Sequence, residues 1–247
     1  MVLFNEKRVN KCYKNGSVIN NITDYVSDES KVVFQYITSG DTPTPPSPSG
    51  LPQGYTEVEY IQNTSIAFID TGFKPNQDTR IEYKTQCVTS TQYGVQIGCG
   101  AWNKANAMRQ NYESNYNGTL HIKWGAATGW DVVSSVIGDY NEHTYDWNKN
   151  EFYRDGTLVK STTYTNFQCT DNLALFHCIE AGISFNDAAA FKGKMFYCKI
   201  YDNGTLVRDF VPCIDPNNVV GMYDTVNGVF YGSANSGKTF TAGNPVT

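Results

Sequence analysis

A chain of 247 residues is long enough for one all-β domain of about 200 residues with an appendage, or for two domains, and it can bury a core without staples. Only 17% of its residues are charged, the net charge is −5, and no basic patch offsets it, so binding to a nucleic-acid backbone is not expected. Abundant glycine (21), tyrosine (17) and phenylalanine (13) suit short strands joined by many turns and argue against helical bundles and coiled coils.

The first residues, up to Gly16, carry no apolar stretch behind their charges, so no secretion leader is expected. No apolar run approaches the length of a bilayer span, and membrane insertion is not expected either. Seven cysteines (Cys12, Cys87, Cys99, Cys169, Cys178, Cys198 and Cys213) are odd in number and lack any Cys-x-x-Cys spacing. Several sit in strand-like apolar runs, which predicts small buried hydrophobes in a chain folded under reducing conditions rather than zinc ligands. No metal or other cofactor is expected.

Residues 1–40 read as a small β unit. Val9 to Tyr13 leads into the turn Lys14-Asn15-Gly16-Ser17 and then Val18-Ile19, and residues 31–37 alternate as a further strand. Three short strands are too few to be stable unaided, so the unit is expected to pack on a copy of itself, another protein or the rest of the chain. Val32, Phe34 and Tyr36 share one face of the last strand and are the candidate attachment residues. Residues 41–50 follow as a proline-rich linker. Pro43, Pro45, Pro46 and Pro48 favour polyproline II at about 3.1 Å per residue, so ten residues make a semi-rigid spacer of roughly 30 Å.

The large domain, residues 51–247, begins at Leu51. Strands are predicted over 55–63, 65–71, 79–88 and 92–98, with a hairpin at 116–122. Residues 142–146 and 151–154 flank a turn, Asp155-Gly156 makes the next, 173–179 reads as a buried strand, and 186–190 as one helical turn in a loop. Residues 191–231 carry the most regular pattern. Met195, Tyr197, Lys199 and Tyr201 alternate with Phe196, Cys198 and Ile200, and Asn203-Gly204 supplies the positive φ of a type I′ hairpin. Pro212 and Pro216 are expected to stop the pairing of the return strand, because neither donates to a ladder. Asn227-Gly228 repeats the turn chemistry. The string aromatic-x-Asp/Asn-Gly recurs at Tyr13, Tyr153 and Tyr201 at irregular intervals, which marks one hairpin solution used repeatedly rather than a solenoid. Many short strands of this kind predict a sandwich or barrel.

Certain strings are more specific: Leu51-Pro52 with Gly54-Tyr55-Thr56-Glu57-Val58-Glu59-Tyr60-Ile61, Phe68-Ile69-Asp70-Thr71-Gly72, Phe191-x-Gly193-x-Met195, Lys199-Ile200-Tyr201-Asp202, residues 206–213 and Val220-Gly221-Met222-Tyr223-Asp224. Together they resemble the laminin G-like branch of the concanavalin A-like lectin/glucanase superfamily, common in prophages and tailed phages of gut bacteria. The resemblance covers residues 51–243. It implies an all-β, two-sheet antiparallel jelly-roll sandwich on a virion or cell surface, with the N-terminal unit as an anchoring segment.

The superfamily includes glucanases that present Glu-x-Asp-x-x-Glu along one strand. The nearest string here, Glu57-Val58-Glu59, lacks the third carboxylate and falls where the resemblance places a non-catalytic strand. His121, His143 and His177 lie far apart, with no serine or cysteine in a nucleophile context. His177 reads as a core or edge histidine. Residues 232–239 match the frame of a phosphate loop by composition alone and read as a hairpin tip between β elements. No catalytic residue is expected, and the chain is not expected to be an enzyme.

Sugars stack on aromatic rings while Asn, Asp and Arg take their hydroxyls. Residues 100–130 and the adjoining Asp131 concentrate that chemistry, so the candidate carbohydrate-binding residues are Trp102, Asn103, Arg109, Tyr112, Tyr116, Trp130 and Asp131. Trp124, alternating with Ile122, is the expected core member. The expectation is a phage virion surface protein of fibre or decoration type, made in the host cytoplasm. Its partners would be other virion proteins, contacted through Val32, Phe34 and Tyr36, a host-surface or mucosal glycan, and further copies of itself, a trimer being favoured. The alternatives are a virion protein without a glycan ligand and a glycan hydrolase.

Overall fold

The structure, a computed structural model, describes residues 50–89, 94–100, 105–113, 119–125, 131–179 and 189–246, and five short strands in the first 49 residues. By its internal contacts the chain divides into two compact units, Met1–Pro45 and Pro46–Thr247.

In the first unit β1 (Val2–Phe4) pairs antiparallel with β2 (Lys7–Val9), a hairpin absent from the sequence expectations. β3 (Cys12–Lys14) pairs with β4 (Ser17–Ile19) and with β5 (Val33–Phe34). Lys14 stands opposite Ser17, and the expected turn residues Asn15 and Gly16 lie outside the described residues. Phe34 is a backbone position of β5, opposite Cys12. Val32, Tyr36 and the linker residues 41–49 lie outside the described residues.

The second unit is an all-β jelly-roll sandwich of two antiparallel sheets, and its described residues contain no helix. The smaller sheet has the order β13 (Asp131–Ile137), β12 (Thr119–Gly125), β11 (Ala107–Glu113), β10 (Val95–Cys99), β17 (Ala174–Leu175), β8 (Ile69–Asp70). The larger runs β16 (Thr157–Ser161), β15 (Glu151–Arg154), β14 (Glu142–Asn148), β9 (Thr79–Thr89), β18 (Lys192–Asp202), β19 (Thr205–Ile214), β20 (Val220–Asp224), β21 (Val229–Tyr231). Three short strands attach off this path: β6 (Thr56–Glu57) on β19, β7 (Ile61–Asn63) on β18, and β22 (Thr241–Ala242) on β7.

Alternation explains the layering. In β9 Thr79, Ile81, Tyr83 and Thr85 are buried, while Arg80, Glu82 and Lys84 between them are half-buried on the outer face. Tyr83, Tyr145, Trp147, Phe152, Cys198, Ile200 and Phe210 of the larger sheet meet Ile69, Ile97, Met108, Leu120, Ile122 and Trp124 of the smaller in one apolar cluster. Trp124 is buried there, as expected, with its ring edge-on to Phe167 at 4.7 Å between centroids. On the outer face the Arg80 guanidinium donates to both carboxylate oxygens of Asp146 at 2.9 and 2.8 Å, and Lys84 pairs with Glu142 at 2.6 Å. Such half-exposed pairs add little stability but keep this face polar.

Several expected strands are shorter than predicted. The stretch 55–63 splits into β6 and β7, which serve different neighbours. Residues 65–71 and 173–179 reduce to β8 and β17, and Phe176, at φ +69°, breaks the extended backbone directly after Leu175. The helical turn expected at 186–190 falls largely outside the described residues. The hairpin turns behave as read: Asp155 and Gly156 have φ +51° and +74°, and Asn203 and Gly204 have +46° and +79°.

Two expectations are corrected. Met195 does not share a face with Tyr197. A bulge between them carries Met195 into the core with Cys198 and Ile200. Pro212 does not end its strand either, and lies inside β19 opposite Met222. Thr225 N–H donates to Asp209 C=O across the same ladder, so two-residue alternation places Pro212 at a non-bonded position toward β20, where no N–H is needed. On its other side its carbonyl accepts from Val58 N–H at 3.1 Å. Pro216 does follow the strand, in a turn where Asp215 Oδ1 accepts from Asn217 and Val219 N–H.

The motif residues turn out to be packing requirements. A Cβ on Gly193 would run into the carbonyl oxygen of Gln86 and the ring of Phe191, and one on Gly221 into the carbonyl oxygen of Tyr231 and the ring of Phe230. Asp224 is fully buried and accepts from Asp209 N–H at 3.0 Å, Val226 N–H at 3.1 Å and Asn227 Nδ2 at 2.6 Å, which braces the turn at 225–228. Gly193→Ala and Gly221→Ala are each expected to cost about 1–3 kcal/mol of unfolding free energy, read from the urea midpoint. Gly232→Ala, whose Cβ would meet Val219 at 3.6 Å in ordinary contact, is expected to stay within about 0.5 kcal/mol. Equal midpoints for all three would contradict the packing argument.

Candidate functional site

The candidate site is the outer face of the smaller sheet and the connections at its rim. In β12 Leu120, Ile122 and Trp124 point into the core, so the pleat sends His121 and Lys123 to the other face. Arg109 of β11 stands directly opposite Lys123, and Gly98 of β10 directly opposite Arg109, which makes one row across three strands. Gly98 gives the row its room. A Cβ there would sit 3.1 Å from Arg109 Cγ and 3.0 Å from Cys178 Cβ. Arg109, His121 and Lys123 are 5%, 3% and 1% exposed, so this basic row is a covered floor, and two cations buried side by side need acceptors around them.

The register Cys99–Met108–Trp124 puts the exit of β10, the entry of β11 and the exit of β12 at one end of the sheet. The connections that leave there carry Trp102, Asn103 and Trp130, which lie outside the described residues. Asp131 opens β13 opposite Ile122. Tyr112, opposite Leu120, is a backbone position nearer the other end of β11, where the connection bearing Tyr116 departs; Tyr116 lies outside the described residues. Of the seven candidates, Arg109 is the one whose side chain is described, and it belongs to the floor.

The carboxylates considered for hydrolysis are elsewhere. Glu57 is in β6 beside Cys213, and Glu59 accepts from Asn244 Nδ2 at 3.2 Å. His121, opposite Asn111, lies on the outer face beside the basic row, and His177 is buried with Nδ1 2.8 Å from the Cys178 N–H. Residues 232–239 do not form a hairpin tip, because β21 pairs with β20 while β22 pairs with β7. This segment crosses the end of the sandwich, where Ala234 N–H donates to Phe68 C=O and Asn235 Nδ2 to Ile66 C=O.

A second polar cluster was not anticipated. His143 Nδ1 lies 2.7 Å from Asp155 Oδ2 and its Nε2 2.8 Å from Asp139 Oδ1. Arg154 Nη2 reaches Asp139 Oδ2 at 2.9 Å and also contacts His143 Nε2. Asp139 and His143 are close in sequence, but only the β14–β15 pairing adds Arg154 and Asp155. The guanidinium supplies a cation there, and among the described residues no group of His, Cys, Asp or Glu is arranged to hold a metal ion.

No family model matches the chain, and no curated protein matches it. Among solved structures it is similar to domains LG4-5 of the mouse laminin α1 chain, with a TM-score of 0.39 and 15% identity. The match covers 71% of this chain and 46% of that one, so the chain spans under half the length of the laminin fragment. The jelly-roll assignment rests on the strand order and pairing given above.

Burial alone would raise the Asp139 and Asp155 carboxyls. At Asp139 hydrogen bonds from His143 and from Asn141 N–H outweigh it, at Asp155 those from Thr144 N–H and His143, and both sit below the ordinary value of 3.8. A carboxyl held low in the folded state contributes stability above the unfolded value and loses it as pH falls through the folded one. The two side chains are 40% and 49% exposed, so each is expected to contribute less than about 1 kcal/mol. Between pH 7 and pH 3 the urea midpoint of Asp155→Asn is expected to fall less than that of the unaltered chain. Parallel declines would show that the cluster is electrostatically silent.

Proposed function

We propose that this chain is a surface protein of a tailed-phage virion, of fibre or decoration type, whose jelly roll binds a host-surface or mucosal glycan. The N-terminal unit attaches it to other virion proteins, the assembly is a trimer, and the chain is made in the host cytoplasm. The observation that carries the binding reading is the strand register. At one end of the smaller sheet it brings together the strand ends that lead into the stretches bearing Trp102 and Asn103 and bearing Trp130, and the outer face of that sheet is basic. Rings at a rim with polar groups behind them are the chemistry of sugar recognition. The motifs at Gly193 and Gly221 support the superfamily reading, since each glycine stands where the sandwich admits no side chain. In this reading the chain is not an enzyme, and Glu57 and Glu59, on and beside a strand of the larger sheet, are not a catalytic pair.

A second reading keeps the particle and drops the ligand. What favours it is the burial of Arg109, His121 and Lys123, which leaves the described floor closed.

A glycan array probed with the full chain, Trp102→Ala and Trp130→Ala separates the two. Binding that weakens at least tenfold in both variants is expected. Binding untouched by either would place the ligand elsewhere, and no binding by the unaltered chain would favour the structural reading. Sedimentation of the full chain against residues 50–247 is expected to give a trimer and a monomer. A monomeric full chain would remove the oligomer from the proposal.

A further inference from the structure

Of the six cysteines in the second unit, Cys99, Cys169, Cys178, Cys198 and Cys213 are buried and Cys87 is half-buried. Burial pushes the Cys87 thiol up to about 11 and that of Cys213 up to about 12, which slows their reaction in the closed protein. One pair stands apart. The sulfurs of Cys99 and Cys169 are 2.9 Å from each other, although the residues are 70 apart in the chain. We propose that Cys99 and Cys169 form a disulfide that staples the end of β10 to the 167–169 segment.

Both main chains are held independently of the sulfurs. Cys99 is paired with Met108, and the next residue, Gly100, donates its N–H to Ile179 C=O at 2.8 Å. Cys169 N–H donates to Pro75 C=O at 2.8 Å, and Gln168 Nε2 to the carbonyls of Lys74 and Pro75 at 3.1 Å. A disulfide holds its sulfurs at about 2.0 Å, so the two sulfurs need to approach by about 1 Å more for the bond to form. The staple sits where it matters for the rim. Cys99 is the last residue of β10 before the connection to Trp102, and Phe167, two residues before Cys169, packs on Trp124.

The oxidant is a disulfide such as oxidised glutathione. One cysteine thiolate attacks it, forming a mixed disulfide and releasing one glutathione thiol. The second cysteine then displaces the other glutathione as a thiol. Two cysteine thiols and one glutathione disulfide thus become one protein disulfide and two glutathione thiols, with two electrons passing to glutathione. Burial also holds the Cys99 thiol well above its ordinary value, so the exchange proceeds during folding or local opening and is slow in the closed protein. The inference does not rest on the virion reading. Within that reading, a chain made in a reducing cytoplasm would meet the oxidant only after release.

The test is to refold the full chain in a glutathione redox buffer, block free thiols with iodoacetamide under denaturing conditions, and digest without reduction. Mass spectrometry is expected to find the Cys99 and Cys169 peptides linked, with both sites missing from the alkylated set. The oxidised chain is expected to melt higher than the reduced one by on the order of 10 °C. Cys169→Ala is expected to lose that difference and Cys198→Ala to keep it. Complete alkylation of both sites, or linkage of either to another cysteine, would overturn the proposal. The peptide map of the unaltered chain decides this even if the alanine variants fold poorly.

Discussion

The pairing of β9 with β18 is the contact on which the rest of the sandwich depends. Thr79 lies opposite Asp202 and Thr89 opposite Lys192, so two 11-residue strands more than a hundred residues apart run side by side through the larger sheet. On one flank β9 receives β14, and with it the β15–β16 hairpin. On the other β18 receives β19 and, along its first residues, β7. Neither strand can slip by one residue without turning Ile81, Tyr83, Cys198 and Ile200 out of the core. The bulge at Met195–Tyr197 pins that register and keeps Met195 inside as well.

From this axis the two faces of the larger sheet acquire opposite characters. The inner face meets the smaller sheet through large apolar rings, and the outer face is a ladder of half-exposed ion pairs around Arg80, Glu82, Lys84, Asp146 and Glu142. The smaller sheet is built differently. Its inner face is apolar, but its outer face carries Arg109, His121 and Lys123, each almost fully covered. A sheet buried on both sides has lost the free solvent face that an antiparallel sandwich normally keeps. That covering sets the smaller sheet apart from the larger one, whose outer face stays half-exposed.

Local chemistry was legible where the chain encodes it locally. Asn203-Gly204 and Asp155-Gly156 announced their hairpins because few dipeptides accept two successive positive φ angles. The alternation of residues 79–88 named the strand. Pro212 was misread because a rule about donors needs to know which rungs of the ladder are bonded, and that is tertiary information. The splitting of 55–63 and the shortening of 173–179 failed for the same reason. Each depends on which partner strand runs out first, and Phe176 at φ +69° carries no composition signal at all. Of the site, the sequence located the Trp- and Asn-rich stretch and placed Trp124 in the core, but nothing local said that Arg109 would lie beside Lys123 in a covered row.

What the amino-acid sequence determines alone, then, is the class of the fold, the hairpin turns, and the glycines that motif and packing both demand. Periodicity and turn stereochemistry are short-range, and they survive without knowledge of neighbours. What only the tertiary structure decides is pairing across long separations: β9 with β18, Arg109 with Lys123, His143 with Asp155, and the sulfurs of Cys99 and Cys169. Those contacts follow from strand order and register. Many strand orders bury the same apolar faces about equally well, and the chain resolves among them only by satisfying every ladder at once.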